Sequence, residues 1–277
     1  PTLTGYARTY ANVGKTKNFG YDLTFNFVPV RTKDFEWNIG VNAAYSRNEI
    51  VSLANGKEDD PANGWFIGES TNSIYTYESA GLWKEEDRAD MEKFNANGHD
   101  FQIGMARPVD QNGDYKIDAN NDRTIVGHYD PRWTLGLNTN FTYKGWDLGI
   151  QLYGRMGFKY YDSSVWVGGR YNVRDYDYYN ENNKNAAHPK PIYDEGGKDA
   201  YYNETYLKNG SYLKIRNISL GYTFPNRLLT HTGLSALRMY AQIKNPGYIF
   251  SGCKTLDLDT YSNTYNSGFT FGLNLSF

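Results

Sequence analysis

The sequence predicts an all-β fold, a transmembrane antiparallel β-barrel, on three observations. Apolar and polar residues alternate one by one over long stretches. Aromatic rings gather at the ends of those stretches, and the connections between them are alternately short and long. The closing GFTFGLNLSF shows the first: Phe269, Phe271, Leu273, Leu275 and Phe277 alternate with Thr270, Gly272, Asn274 and Ser276. Such alternation marks a strand with one apolar and one polar face. In a soluble protein the apolar face meets a packed core; in a barrel it meets lipid, and the polar face lines a lumen.

The other strands repeat the pattern. Tyr21, Leu23, Phe25 and Phe27 alternate with Asp22, Thr24 and Asn26, predicting a strand over 18–29. Phe35, Trp37, Ile39, Val41, Ala43 and Tyr45 predict one over 34–46. Trp133, Leu135, Leu137, Phe141 and Tyr143 predict 132–143, and after a tight Lys144-Gly145 turn Trp146, Leu148, Ile150 and Leu152 predict 145–156. Ile218, Leu220, Tyr222 and Phe224 lie in 211–225, Leu237, Met239, Ala241 and Ile243 in 236–245, and the last strand is 268–277. In SYLKIRNIS the parity breaks: Leu213 and Ile215 lie on one phase, Ile218 and Leu220 on the other. Either a bulge near Arg216–Asn217 switches the phase, or residues 211–216 stand above the membrane.

The polar face decides between core and lipid. It carries Asn, Gly, Thr, Ser and Gln with few charges, where a soluble sandwich needs Lys, Glu and Thr outside. Trp133 and Tyr143, Phe35 and Tyr45, and Trp146 sit at the stripe ends, as in the girdles of a membrane barrel. Tyr 26, Phe 14 and Trp 6 in 277 residues supply those girdles. No run of about 18 apolar residues is present, so no transmembrane helix is expected. With Phe277 on the periplasmic side, the long connections 47–131, 157–210 and 246–266 all fall outside and the short ones inside. Seven strands fall short of the eight of the smallest barrels, so the chain is expected to be part of a larger one.

Other classes are excluded by composition and spacing. A formal charge of −2 argues against nucleic acid as partner. The lone Cys253 rules out an internal disulfide framework. His99, His128, His188 and His231 make no zinc spacing, and no nucleophile elbow or phosphate loop appears, so an enzyme is not expected.

The chain resembles the C-terminal portion of SusC/RagA-type TonB-dependent transporters of Bacteroidota outer membranes. The resemblance rests on NVGKTKNFGYDLTFNF (12–27), YESAGLWKEED (77–87), the block 108–157, YLKNGSYLKIRNISLGYTFP (206–225), LRMYAQIKNP (237–246) and GLNLSF (272–277), in that order. It implies a twenty-two-stranded barrel, of which these are about the last seven strands, around a plug that 1–277 does not include. It implies import of oligosaccharides or peptides, a SusD-like surface lipoprotein as lid, and TonB acting through the absent N-terminal part. The final Phe fits the family's assembly signal. The competing readings are a siderophore-type receptor and a β-protein that binds glycans without transporting them.

Two groups of residues are candidates for binding. In DQNGDYKIDANND, Asp110, Asn112, Asp114 and Asp118, with the Lys116 carbonyl, fall at alternate positions of a calcium-loop pattern, and Asp122 can complete it. Tyr115 stands where that pattern has Gly and Asn121 where it has Glu. The alternative is a turn whose side chains bond their own backbone. Ca²⁺ is the only cofactor expected. Exposed rings of the outer loops, Trp65, Tyr75, Trp83, Trp166, Tyr171, Tyr176, Tyr178 and Tyr179, are candidates for contact with cargo or lid; self-packing of the loops is the alternative.

Overall fold

The computed structural model describes residues 14–162, 177–191, 199–253, 257–260 and 266–277. In chain order the elements are β1 (Lys15–Arg31), β2 (Phe35–Ser52), β3 (Ser73–Tyr77), β4 (Ser79–Leu82), α1 (Arg88–Ala96), β5 (Ala106–Pro108), β6 (Arg123–His128), β7 (Trp133–Tyr143), β8 (Trp146–Met156), β9 (Lys159–Tyr161), β10 (Leu207–Asn209), β11 (Tyr212–Thr223), β12 (Ala236–Ser251) and β13 (Gly268–Ser276). Seven of them build one antiparallel sheet in the order β1-β2-β7-β8-β11-β12-β13. These are the seven strands the alternation predicts, neighbour by neighbour. The other strands pair two by two, β3 with β6, β4 with β5 and β9 with β10, in the long connections.

Among the described residues, no protein core covers the apolar stripe. Phe25 is 59% exposed and Phe271 81%. The buried clusters lie in the long connections and at the strand ends that meet them: Trp83, Met91, Phe94, Phe101, Met105 and Ile117 form one, and Phe158, Tyr160, Tyr212, Cys253 and Leu258 another. A broad exposed apolar face flanked by rings is the lipid-facing surface of a barrel wall. Two rows of rings bound it. Tyr21 stacks on Tyr45 at 5.4 Å and Tyr45 meets Trp133 at 5.0 Å. At the other end Trp37 stacks on Phe141 at 5.5 Å and Trp146 meets Tyr222 at 4.8 Å.

The tight turn between β7 and β8 places Lys144 at φ 47° and Gly145 at φ 90°. Two positive φ values define the two-residue hairpin turn whose twist matches its strands. The parity break in β11 is a bulge. Ile215 pairs with Leu152 and Asn217 with Gln151, so Arg216 is extra and Ile215 keeps the phase of Ile218, which faces Ile150.

β12 runs to Ser251, beyond the expected end at 245. It absorbs Asn245 (φ 49°) and Pro246 in a register shift opposite Arg216. A bulge is where a strand tolerates a proline. β2 likewise runs to Ser52, because Arg47, Asn48 and Glu49 pair with Phe19, Asn18 and Lys17 of β1. Charged residues carry no lipid stripe, so that extension leaves no periodic signal.

Candidate functional site

The connection between β2 and β7 folds into a small unit with its own core. α1 buries Met91 and Phe94, three residues apart on one face, against Trp83 and Phe101. Asp87 and Asp90, at the start of α1, hold Arg107 through contacts of 2.6 and 3.2 Å. The Arg107 guanidinium in turn lies 4.6 Å over the Trp83 ring. Trp83 is fully buried, which corrects the expectation that it meets cargo or lid. A tryptophan that organises a loop core and one that greets a ligand look alike in sequence.

The Asp loop packs against this core, and its side chains bond its own backbone. Asp110 accepts from the N–H groups of Gly113 (2.7 Å) and Tyr115 (2.8 Å). Asn112 Oδ1 accepts from Asp114 N–H, and Asp114 from Lys116 N–H. Asp118 accepts from the Asn121 side chain and from the N–H groups of Asn121 and Asn120, which hold its carboxyl below the usual range. Asp122 is fully buried, with one oxygen on Gln111 N–H at 2.9 Å and the other on Asp118 N–H at 2.7 Å. Among the described residues, no three His, Cys, Asp or Glu side chains are placed to hold a metal ion. The geometry is the self-bonded turn rather than a convergent ligand set.

Tyr115 takes φ 61°, the left-handed region, with its ring 5.4 Å from Phe94. His99 has a role the spacing did not reveal. Its Nε2 accepts from Ile117 N–H at 3.0 Å, and burial lowers its pKa, against the pull of Asp122. That hydrogen bond needs the neutral ring.

Beside this unit lies a pocket of about 340 Å³ lined by Asn63, Gly64, Tyr75, Thr76, Arg123, Tyr129 and Tyr161, among others. Tyr75 packs its ring on Phe66 at 4.6 Å, and Tyr129 and Tyr161 lie 6.4 Å apart. Burial raises the Tyr161 hydroxyl to about 12, helped by Glu204 and Tyr129. Thr76 donates to one Glu204 oxygen at 2.6 Å, while the other is buried without a partner. Burial also holds Glu204 above the usual carboxylate range, opposed by the Thr76 bond and by Arg123. Three rings and a guanidinium line the pocket, a surface able to stack on a flat group and hydrogen-bond its edge.

Of the expected ring contacts, Tyr75 lines this pocket and Trp65, 43% exposed, follows Gly64 in the chain. Tyr178 is exposed, and Tyr179 lies against Gly104, leaving no room there for a side chain. Trp166, Tyr171 and Tyr176 lie outside the described residues.

On the polar face of the wall, Arg238 of β12 makes a two-point pair with Asp147 of β8 across β11, Nε to Oδ1 at 2.9 Å and Nη2 to Oδ2 at 2.5 Å. Gly221 lies between them: a Cβ there would come within 2.5 Å of Arg238 Nη2 and 2.6 Å of Asp147 Oδ1. A second cluster ties residues 257–260 to the bulged end of β11. Buried Lys214 lies 2.8 Å from Asp259 and 3.5 Å from Asp257, and Arg216 lies 3.0 Å from Asp259. Tyr248 donates to Asp257 at 2.5 Å.

The chain is 27% identical to the TonB-dependent receptor SusC of Bacteroides thetaiotaomicron over 293 residues, covering 98% of this chain and 27% of that protein. It is 26% identical to TonB-dependent receptor P3 of Formosa agariphila over 309 residues, covering all of this chain and 30% of that protein. The solved RagAB peptide importer in its open-open state superposes over the whole chain and 30% of its own, with a TM-score of 0.73 at 25% identity. No family model matches. The chain thus spans about 30% of the length of these relatives. The fold and its polar and lipid faces define a section of an outer-membrane β-barrel. That section is similar to the corresponding part of SusC/RagA-type TonB-dependent proteins, and the relatives are receptors and transporters by name.

Proposed function

We propose that this chain is part of the wall of a TonB-driven outer-membrane importer that takes up oligosaccharides or peptides beneath a SusD-like surface lipoprotein. The observation that supports this best is the wall: seven ringed, lipid-faced strands, similar from end to end to SusC and RagAB. In this reading the connections 47–131, 157–210 and 246–266 form the outer face. The pocket of Tyr75, Tyr129 and Tyr161 is a cargo contact, and the Asp147–Arg238 side faces plug or cargo in the lumen. TonB acts through the plug of the full-length protein.

The test is uptake by cells with and without the full-length gene, given labelled pools of oligosaccharides and of peptides, in tonB⁺ and tonB⁻ backgrounds. One pool should enter only with both genes intact, and a surface lipoprotein should co-purify. A blot of membrane extract, run unboiled and boiled, tests the premise. A soluble band near the mass of this segment with no shift on boiling would sink the reading.

A further inference from the structure

A second pocket, separate from the tyrosine-lined one, sits at the outer rim of the wall. It measures about 290 Å³ and is lined by Ser46, Arg47, Asn48, Ser70, Asn72, His128, Asp130, Pro131 and Arg132. Its acceptors are largely used. Asp130 receives Asn48 Nδ2 at 3.0 Å, Asn72 Nδ2 at 2.9 Å and Ser70 Oγ at 3.4 Å. Asn48 Oδ1 receives Ser70 Oγ at 2.8 Å and Thr71 N–H at 2.9 Å.

Its charged donors are largely unused. Arg47 gives one Nη2 bond to the Gly68 carbonyl at 3.1 Å, and its Nε is buried with no partner. Among the described residues, the Arg132 side chain has no hydrogen-bond or ion-pair partner, and neither guanidinium pairs with a carboxylate. A buried N–H without an acceptor is destabilising, so a site with spare charged donors and filled acceptors is matched by a ligand that brings acceptors and negative charge.

The side of the wall selects the source. Ser46 and Asn48 alternate with Tyr45 of the outer ring row, and Arg132 precedes Trp133 of the same row. By the two-residue period the side chains of Ser46, Asn48 and Arg132 belong to the lumen side, away from lipid, while Arg47 shares the phase of Tyr45 and lines the pocket from the rim.

We propose that this pocket binds a carboxylate carried by soluble cargo, held by Arg47 and Arg132. Carboxylate oxygens fit the fork of a guanidinium in two-point fashion. The volume admits a single acidic group with its nearest atoms rather than a whole oligomer, so the pocket reads a charged end or a side group. His128 stands beside it. Burial first, then Arg132 and Arg47, lower its pKa, against Glu69 and Asp130, so it adds a donor without a charge near neutral pH.

The experiment uses the full-length transporter purified in detergent, with unboiled and boiled mobility as the check that each variant is folded. N-acetylglycine is titrated calorimetrically, with N-acetylglycinamide as the neutral control and inorganic phosphate as a third probe. Saturable binding of the acid and none of the amide is expected. Arg132→Gln should weaken it about tenfold or more, the effect of one charge-assisted hydrogen bond. Ser46→Asp, which places a carboxylate in the pocket, should abolish it in a folded barrel.

Equal binding of acid and amide, no binding, or binding indifferent to both substitutions would overturn the proposal. Phosphate bound through the same arginines with the acid excluded would also overturn it, and point to a lipid headgroup. The titration measures equilibrium binding without uptake, so its failure and failure of the import reading are separate results.

Discussion

Lys214 is nearly fully buried, yet it is a lysine at a strand end. It is held there by Asp257 and Asp259, so the residues beyond β12 are tied to the wall by charge rather than by apolar contact. Removing one partner of a buried pair typically costs about 3–5 kcal/mol. Lys214→Ala is therefore expected to free residues 257–260, read as faster amide exchange there with the ring rows of the wall unchanged. The pH dependence has a definite sign. Burial raises the Asp259 pKa, but Lys214 and Arg216 lower it more, and the net value is below the ordinary one. A depressed carboxyl contributes stability that is complete above the ordinary value and fades as pH falls through the folded one. Protection against exchange at 257–260, relative to the intrinsic rate at each pH, should therefore be flat near neutrality and fall only in strong acid. A fall already between pH 6 and 5 would contradict this.

The Asp loop yields a second expectation at this scale. Its oxygens serve backbone N–H groups, so Asp110→Ala with Asp114→Ala should lower the melting temperature equally in Ca²⁺ and in chelator. A loss seen only with Ca²⁺ would show that the loop rearranges around the ion. Sequence spacing placed these residues in one loop but could not tell convergent from self-directed oxygens. The same limit explains Trp83, whose burial depends on Phe101 and Met105 arriving from elsewhere in the connection.

At the scale of the element, the wall strands were legible and the outer unit was not, for one physical reason. Lipid on one side and water on the other force a two-residue period onto each strand. Even its failure at Arg216 marked a real bulge. The loop strands β3, β4, β5 and β6 are short and pair across long separations, so no period survives to announce them. The pairing between strands also hides specific partners. The Asp147–Arg238 bridge joins strands that are not neighbours, and the absence of a side chain at Gly221 permits it. Gly221→Val is expected to push the pair apart and cost about 1 kcal/mol, the scale of a partly exposed ion pair. The check is a cycle with Arg238→Ala, read by the temperature at which unboiled mobility is lost. In the alanine background the valine should add little. Full additivity would mean the glycine serves some other contact.

At the scale of the whole molecule, the sheet has two open edges. Among the described residues, β1 pairs only with β2, and β13 only with β12. Along both, backbone N–H and C=O groups lack strand partners, and in hydrocarbon each such group costs several kcal/mol. The seven strands therefore cannot reside in a bilayer alone; the edges must join further strands, and relatives about three times as long are where such strands would come from. Residues 1–277 expressed alone and delivered to the periplasm should fail to give a heat-modifiable band in the outer membrane. Co-expression with the remaining part of the full-length protein should restore it, because edge pairing closes the barrel whether or not the chain is continuous. Insertion of the segment by itself would mean that β1 and β13 meet each other, or that copies pair edge to edge. Crosslinking through cysteines placed at Thr24 and Thr270 separates those two cases, since the first gives an internal link and the second a dimer.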